Sequence, residues 1–330
     1  MDTAAAMQQD LAAEIDRIHR FESAPPPPES EWYGLGTILR TWLGLPRTMP
    51  VLAKFHHAPH LETIAHKFYL QGEAPVLLSA RRFVAPFAEA GRTDVHVMGA
   101  LQVRYRRLAG IRQRPDAAGT LAFPAHASHH VGPVFDEAEY ARFLAGLGAD
   151  LQPVRVCLYW KDLLDGRYEA YLARGLPVVT AGHMFDPTFC QRLYRLLAGV
   201  RLTTGNSSGT HAVLSLEMGI PYVQCGATPD WESRSEGDPD FGTGRRGEYA
   251  VNPNRKRFDA LLPRDFGQAA ISGDLAAFNA GLHGCDEADD EAVLRRLLFR
   301  RYVEANAGVA ELVAVLRRNP DLLDASSTRR

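Results

Sequence analysis

The feature that most constrains this chain is a series of short apolar segments at 120–124, 154–159, 177–180, 201–204 and 222–225. Between them, 136–147, 163–174, 187–197 and 210–218 read as helices, with Pro187 at one first turn and Gly175 and Gly219 just past two ends. Strands alternating with helices at this spacing pair in parallel through right-handed crossovers. Residues 116–285 therefore read as a doubly wound, Rossmann-like domain.

A first α/β unit is expected at 31–115, with strands at 51–55, 75–79 and 94–98 and helices at 38–45, 61–70 and 83–90. Residues 1–30 read as a helix over 1–22 and a stiff spacer of four prolines, Pro25 to Pro28. The helix places Met7, Leu11, Ile15 and Ile18 on one stripe, which can pack on the body or on a second copy, so a homodimer is open. Residues 227–255 read as a polar surface loop, and 286–330 as amphipathic C-terminal helices with a tail. The fold class expected is α/β, two Rossmann-like domains with C-terminal helices.

Bulk properties exclude several functions. A net charge of −2 gives no basic field for nucleic acid. No apolar run is long enough to span a bilayer, which leaves at most peripheral membrane association. The charged N-terminus has no apolar leader, so the expected location is cytoplasmic. Cys157, Cys190, Cys225 and Cys285 form no C-x-x-C pair and read as free thiols. No G-x-G-x-x-G follows an early strand and no G-x-x-x-x-G-K-[ST] occurs. Dinucleotide oxidoreductases and P-loop ATPases are set aside on that ground, and an α/β-hydrolase is not expected either.

The richest local signal is the turn Asn206-Ser207-Ser208-Gly209-Thr210, between the strand at 201–204 and the helix at 210–218. A helix start offers unpaired N–H groups and the positive end of the helix dipole, which suit phosphate. The small residues let a diphosphate approach the backbone, and Ser208 and Thr210 add hydroxyl donors. The other reading is a plain helix cap by Ser207 or Ser208.

Further candidates end neighbouring strands. His126, His129 and His130 follow the strand at 120–124; a metal set there lacks a nearby carboxylate, and His126 reads as an anion or sugar contact or as a loop histidine. Lys161 either balances phosphate charge or stands in solvent beside a capping Asp162. Asp186, before Pro187, reads as an N-cap. Glu217 either binds a ribose diol or lies on the exposed helix face. In the first unit His56, His57, His60 and His66 cluster at a strand end, and His57 and His60 are the candidate general bases. Asp238-Pro-Asp240 imitates a metal motif, but its polar loop argues against it.

The run 182–226, with its Ser/Gly turn, following helix and Gly219-Ile220-Pro221 exit, resembles the nucleotide-sugar half of GT-B glycosyltransferases, especially bacterial capsule and surface-polysaccharide enzymes. UDP-N-acetylglucosamine 2-epimerases share that fold and a similar turn. The resemblance implies a metal-independent, cofactor-free hexosyltransferase-type enzyme with its site in an interdomain cleft. It implies a nucleotide-sugar donor held by His126, Lys161, Ser207, Ser208, Gly209, Thr210 and Glu217, and a glycan or lipid-linked acceptor. The Glu-x7-Glu spacing of many retaining members is missing, so stereochemistry is left open. The alternatives are an epimerase of the same fold, which needs paired carboxylates, and a non-catalytic interaction protein.

Overall fold

The computed structural model describes residues 3–63, 65, 67–128, 131–233, 252–306 and 309–319. His66, His129, His130, Asp238 and Asp240 lie outside these residues, as does most of the 227–255 loop.

The chain is mixed α/β, about 48% helical, around a parallel sheet of five strands. Among the described residues ten strands run β1 (Lys54–Phe55), β2 (Val76–Leu78), β3 (Val95–Val97), β4 (Thr120–Ala122), β5 (Val131–Val134), β6 (Val154–Cys157), β7 (Val178–Val179), β8 (Leu202–Gly205), β9 (Tyr222–Gln224) and β10 (Asp230–Ser233). The five-stranded sheet has the order β7-β6-β4-β8-β9 and is parallel throughout. The first unit holds a smaller parallel sheet, β1-β2-β3. Strands β2, β4, β8 and β9 are buried at every position, the pattern of strands covered on both faces. The hydroxyls of Thr203 and Thr204 are satisfied inside the sheet, donating to the carbonyls of Pro221 and Val223 at 3.0 and 2.7 Å.

In the order of the larger sheet, β4 is central. The chain winds outward to β6 and β7 on one side, then returns to β8 and β9 on the other. The reversal falls between β4 and β8. In open parallel sheets the crevice at the carboxyl ends of such a pair is where ligands settle.

Three elements depart from the sequence expectation. The helix expected at 163–174 is two short ones, Trp160–Leu164 and Tyr168–Leu172. It breaks where Arg167 turns inward to pair with Asp162 and Glu137. The helix expected at 61–70 is only Lys67–Leu70, because Glu62 and Thr63 are drawn to Arg255 and Asn254. Strands β5 and β10 form an antiparallel pair that the periodicity did not reveal.

The two chain ends exchange sides. Helix Thr3–Ser23 buries Leu11 and Ile18 in the cluster of Tyr140, Val156, Trp160 and Tyr171 beside the larger sheet. Ion pairs Glu14–Arg192 and Arg17–Asp186 fix it there at 2.7 and 2.8 Å. Helix Glu291–Ala305 instead buries Leu294, Leu298 and Tyr302 among Leu35, Leu39, Leu77 and Leu101 of the first unit. No helix among the described residues is long and apolar enough to cross a membrane.

Candidate functional site

The carboxyl ends of both sheets face one cavity of about 380 Å³, within the usual range for small-ligand sites. The first unit contributes Trp32, Tyr33, His57, His60 and Gln102 to its wall. The larger sheet contributes Phe123 and His126 after β4, Tyr159 after β6, Thr180 after β7, and Thr210 and His211 after β8. Among the described residues no Asp, Glu, Lys or Arg lines it.

The loop after β4 is pinned from two sides. Asn206 Oδ1 accepts from the Ala125 N–H at 2.8 Å, and Asp162 Oδ1 from the Ala127 N–H at 3.1 Å. Arg167 donates to the Ala125 carbonyl at 3.0 Å. Held between those anchors, His126 stays exposed, its ring 4.8 Å from that of Tyr159. Its Nδ1–H donates to the Ala127 carbonyl at 3.1 Å, so Nε2 is the ring nitrogen not used in that bond. Asp162 thus holds this loop rather than capping a helix; no side chain caps Trp160–Leu164.

The turn after β8 is built by close contacts. A Cβ on Gly205 would fall on the Phe123 carbonyl and the Tyr222 hydroxyl, so only glycine lets β8 lie this near β4. Tyr222 donates to the Ser207 carbonyl at 2.7 Å. Arg255 donates to the carbonyl and hydroxyl oxygens of Ser208 at 3.1 and 3.3 Å. Helix Thr210–Glu217 then starts with Gly209 as its cap residue and no side-chain cap. Neither Ser207 nor Ser208 caps it, and the Ala212 N–H donates to the Gly209 carbonyl at 3.0 Å, so among the described residues the Thr210 and His211 N–H groups keep their capacity for a ligand.

Residues 205–209 also spell Gly-Asn-Ser-Ser-Gly, a G-x-S-x-G pattern on a strand-to-helix turn. The sequence by itself therefore does not set hydrolases aside; the geometry of the turn does. Tyr33 is the only non-glycine residue with positive φ among the described residues, so Ser207 lacks the strained elbow conformation. The Ser207 hydroxyl points to the Ser208 carbonyl at 3.5 Å, and no histidine bonds to it.

His211 was missed by sequence reasoning. It stacks on Phe123 with ring centroids 4.9 Å apart, and its Nε2–H donates to the Ser207 carbonyl at 3.2 Å. Burial, helped by the nearby His126 charge, pushes its pKa down to about 3, so the ring is neutral near pH 7. The available signal was its place one residue inside the helix that starts at the turn. Arg255 was missed as well, because 227–255 read as one loop. Asn252-Pro253 was its signal: Asn252 caps helix Pro253–Leu261 with Pro at the first turn.

Across the cavity, His57 packs between Trp32 and Phe55 at 5.3 and 5.4 Å, and its Nε2–H donates to the Glu29 carbonyl at 3.2 Å. Burial lowers its pKa to about 4, only partly opposed by that bond. His60 meets His56 edge-on at 4.9 Å. Tyr33 and Tyr159 share a hydrogen bond at 2.9 Å that bridges the two units over the cavity.

His57, His60, His126 and Thr210 thus meet at one cavity, with Ser207, Ser208 and Gly209 forming the turn behind Thr210. Lys161 and Glu217 do not line it. Lys161 lies over the Trp160 ring at 4.9 Å. The Glu217 side chain is 4% exposed and paired with Arg106 at 2.6 Å and Arg107 at 3.2 Å, so it is neither solvent-facing nor turned to the cavity. Asp186 is not the N-cap expected: helix Phe189–Ala198 starts later, with Thr188 as its cap residue and no side-chain cap, and Asp186 instead holds the preceding turn by accepting from the Thr188 N–H at 2.8 Å. The cysteines are free thiols, and no cluster of three metal-binding side chains occurs among the described residues. No protein-family model matches this chain, and no curated protein matches it.

Proposed function

We propose that the chain is a GT-B glycosyltransferase that moves a sugar from a nucleotide-sugar donor to a glycan or lipid-linked acceptor, in the manner of surface-polysaccharide enzymes. One observation carries this reading. The reversal in strand order lies between β4 and β8, and those two strands end in His126 and in the uncapped turn before Thr210. In this reading each parallel sheet belongs to one Rossmann-like domain, and the cavity between their carboxyl edges is the active site.

As the donor bond breaks, negative charge grows on the leaving diphosphate. The first-turn N–H groups of Thr210–Glu217 would stabilise it in place, without reorganisation and without a metal. Arg255 stands on the turn as the nearest cation, at the Ser208 hydroxyl. His57, neutral near pH 7, and His60 are positioned to accept the acceptor hydroxyl proton. The epimerase alternative draws less support, because it requires paired carboxylates and, among the described residues, none lines the cavity.

The test is a thermal-shift screen of the full chain against UDP, GDP, CMP, dTDP and their sugars. A ligand at 100 times its dissociation constant stabilises by about 2.7 kcal/mol. We expect one nucleotide class to raise Tm, with the shift diminished in Ser208→Ala and His126→Ala. No response to any nucleotide would overturn the reading.

A further inference from the structure

A second groove, of about 580 Å³, opens where the first unit meets helices Pro253–Leu261 and Gly273–His283. Arg81, Arg82 and Arg257 line it, with Phe278 at its wall. Most arginines described above reach carboxylates: Arg17, Arg106, Arg107, Arg167, Arg192 and Arg255 all do. Among the described residues, Arg82 and Arg257 do not. Arg82 is half-buried and donates only to neutral carbonyls, those of Gly281 at 2.6 Å and of His60. Its Nε is buried without a partner. The Arg257 guanidinium lies over the Phe278 ring at 5.1 Å.

Drawing a guanidinium out of water without a counter-charge is unfavourable, and an incoming anion relieves it. Burial lowers the Arg82 pKa to about 10, only partly opposed by the fields of Glu287 and Glu62. The groove's own carboxylates do not remove it. Asp274 sits in the first turn of Gly273–His283, where the helix dipole favours it, and Glu287 is exposed at the rim. Arg81 is occupied by Asp289 at 3.0 Å.

We infer that this groove binds a multivalent anion, with Arg82 and Arg257 as the two guanidinium forks that take its carboxylate or phosphate groups. Planar forks match both groups with paired hydrogen bonds, and an aromatic wall suits the sugar face of an acidic glycan. The Arg82–His60 bond makes the groove a neighbour of the main cavity, yet the inference does not depend on what that cavity does.

The test is calorimetric titration of the full chain at low salt with hexagalacturonate, with inorganic tripolyphosphate and with neutral maltohexaose. Binding by either anion and none by maltohexaose is expected. Arg257→Gln, on an exposed position, should weaken it about tenfold, the effect of losing one charge-assisted hydrogen bond. Hexagalacturonate alone would identify a carboxylate glycan as the ligand class, and tripolyphosphate alone a phosphate-bearing one. Arg82→Lys keeps the charge but loses the fork, and should also weaken binding while the fold, followed by circular dichroism, is retained. Equal affinity of wild type and Arg257→Gln, binding of neither anion, or equal binding of maltohexaose would each overturn the inference. Nucleotide thermal shifts in Arg257→Gln should match wild type, which separates this outcome from the donor-site test.

Discussion

Arg255 donates from one guanidinium nitrogen to both the carbonyl and the hydroxyl of Ser208, while its other nitrogens hold Glu62 at 3.0 and 3.1 Å. Three segments distant in sequence are thereby fastened at the start of one helix: the stretch before the short helix Lys67–Leu70, the turn after β8, and helix Pro253–Leu261. Arg255→Gln leaves the Glu62 carboxylate, largely out of solvent, without its partner. The expected loss is about 2 kcal/mol, seen as a lower urea midpoint at unchanged slope. If a phosphate ligand binds the turn, the same variant should weaken it; a midpoint equal to wild type would show that the bridge contributes nothing.

Stability should fall on mild acidification. His57 and His211 have folded-state pKa values of about 4 and about 3, against an ordinary histidine value near 6.5 in the unfolded chain. Between these values the unfolded chain binds more protons than the folded one. Stability is then fully present above about pH 6.5 and declines as pH falls toward 4, by up to about 1.4 kcal/mol per pH unit for each histidine. Urea midpoints from pH 8 to pH 4.5 check this, and His211→Phe, which keeps the stack on Phe123, should flatten the curve. A flat wild-type profile across that range would contradict the assignment.

Glu217 separates a structural role from a ligand role. Its carboxylate joins helix Thr210–Glu217 to Arg106 and Arg107 of helix Leu101–Leu108. Glu217→Gln should lower stability by about 2 kcal/mol, since two cations lose a buried counter-charge. Nucleotide-induced thermal shifts should remain those of wild type. A variant of normal stability and weakened nucleotide response would return Glu217 to the ligand set.

The strands of the larger sheet were legible because each is a short apolar run bounded by Gly, Pro or a polar turn. Their order was not legible, since it depends on which crossovers return past β4 and no local pattern records that. The segment 120–130 and the turn at 206–210 could be recognised from residue type and position at strand ends, and His126 and Thr210 do meet at one cavity. Lys161 and Glu217 stand apart from the cavity for one shared reason. Each lies on a helix, where the direction of a side chain is set by what packs against it. Lys161 lies over the ring of its own neighbour Trp160, and the Arg106–Arg107 pair of Glu217 was invisible to local spacing. Arg255 was hidden by a neighbouring polar stretch whose composition spread over the true helix start.

Gly34 is the most constrained glycine at the cavity rim. Its φ is +74°, and a Cβ there would strike the Pro187 carbonyl oxygen. The preceding Tyr33 also has positive φ, at 58°, and its N–H donates to the Met184 carbonyl at 2.6 Å. Gly34→Ala should cost about 2 kcal/mol or more through left-handed strain and the clash. Because Trp32 and Tyr33 line the cavity, ligand-induced thermal shifts should shrink as well. Retained stability in this variant would mean that the segment can move off Pro187 without loss.

The exchange of terminal helices has a consequence for how this molecule comes into being. Helix Thr3–Ser23 has its berth on the larger sheet, which is made about a hundred residues later in the sequence. The helix at 291–305 completes the core of the unit at 31–115. Neither half is whole until the segment 291–305 has been made, so a cut at the proline spacer or after Cys285 would strip a half of its own lining. Unfolding should accordingly proceed as a single cooperative event, and any fragment made by dividing the sequence between the sheets would carry an exposed apolar stripe in search of the missing helix.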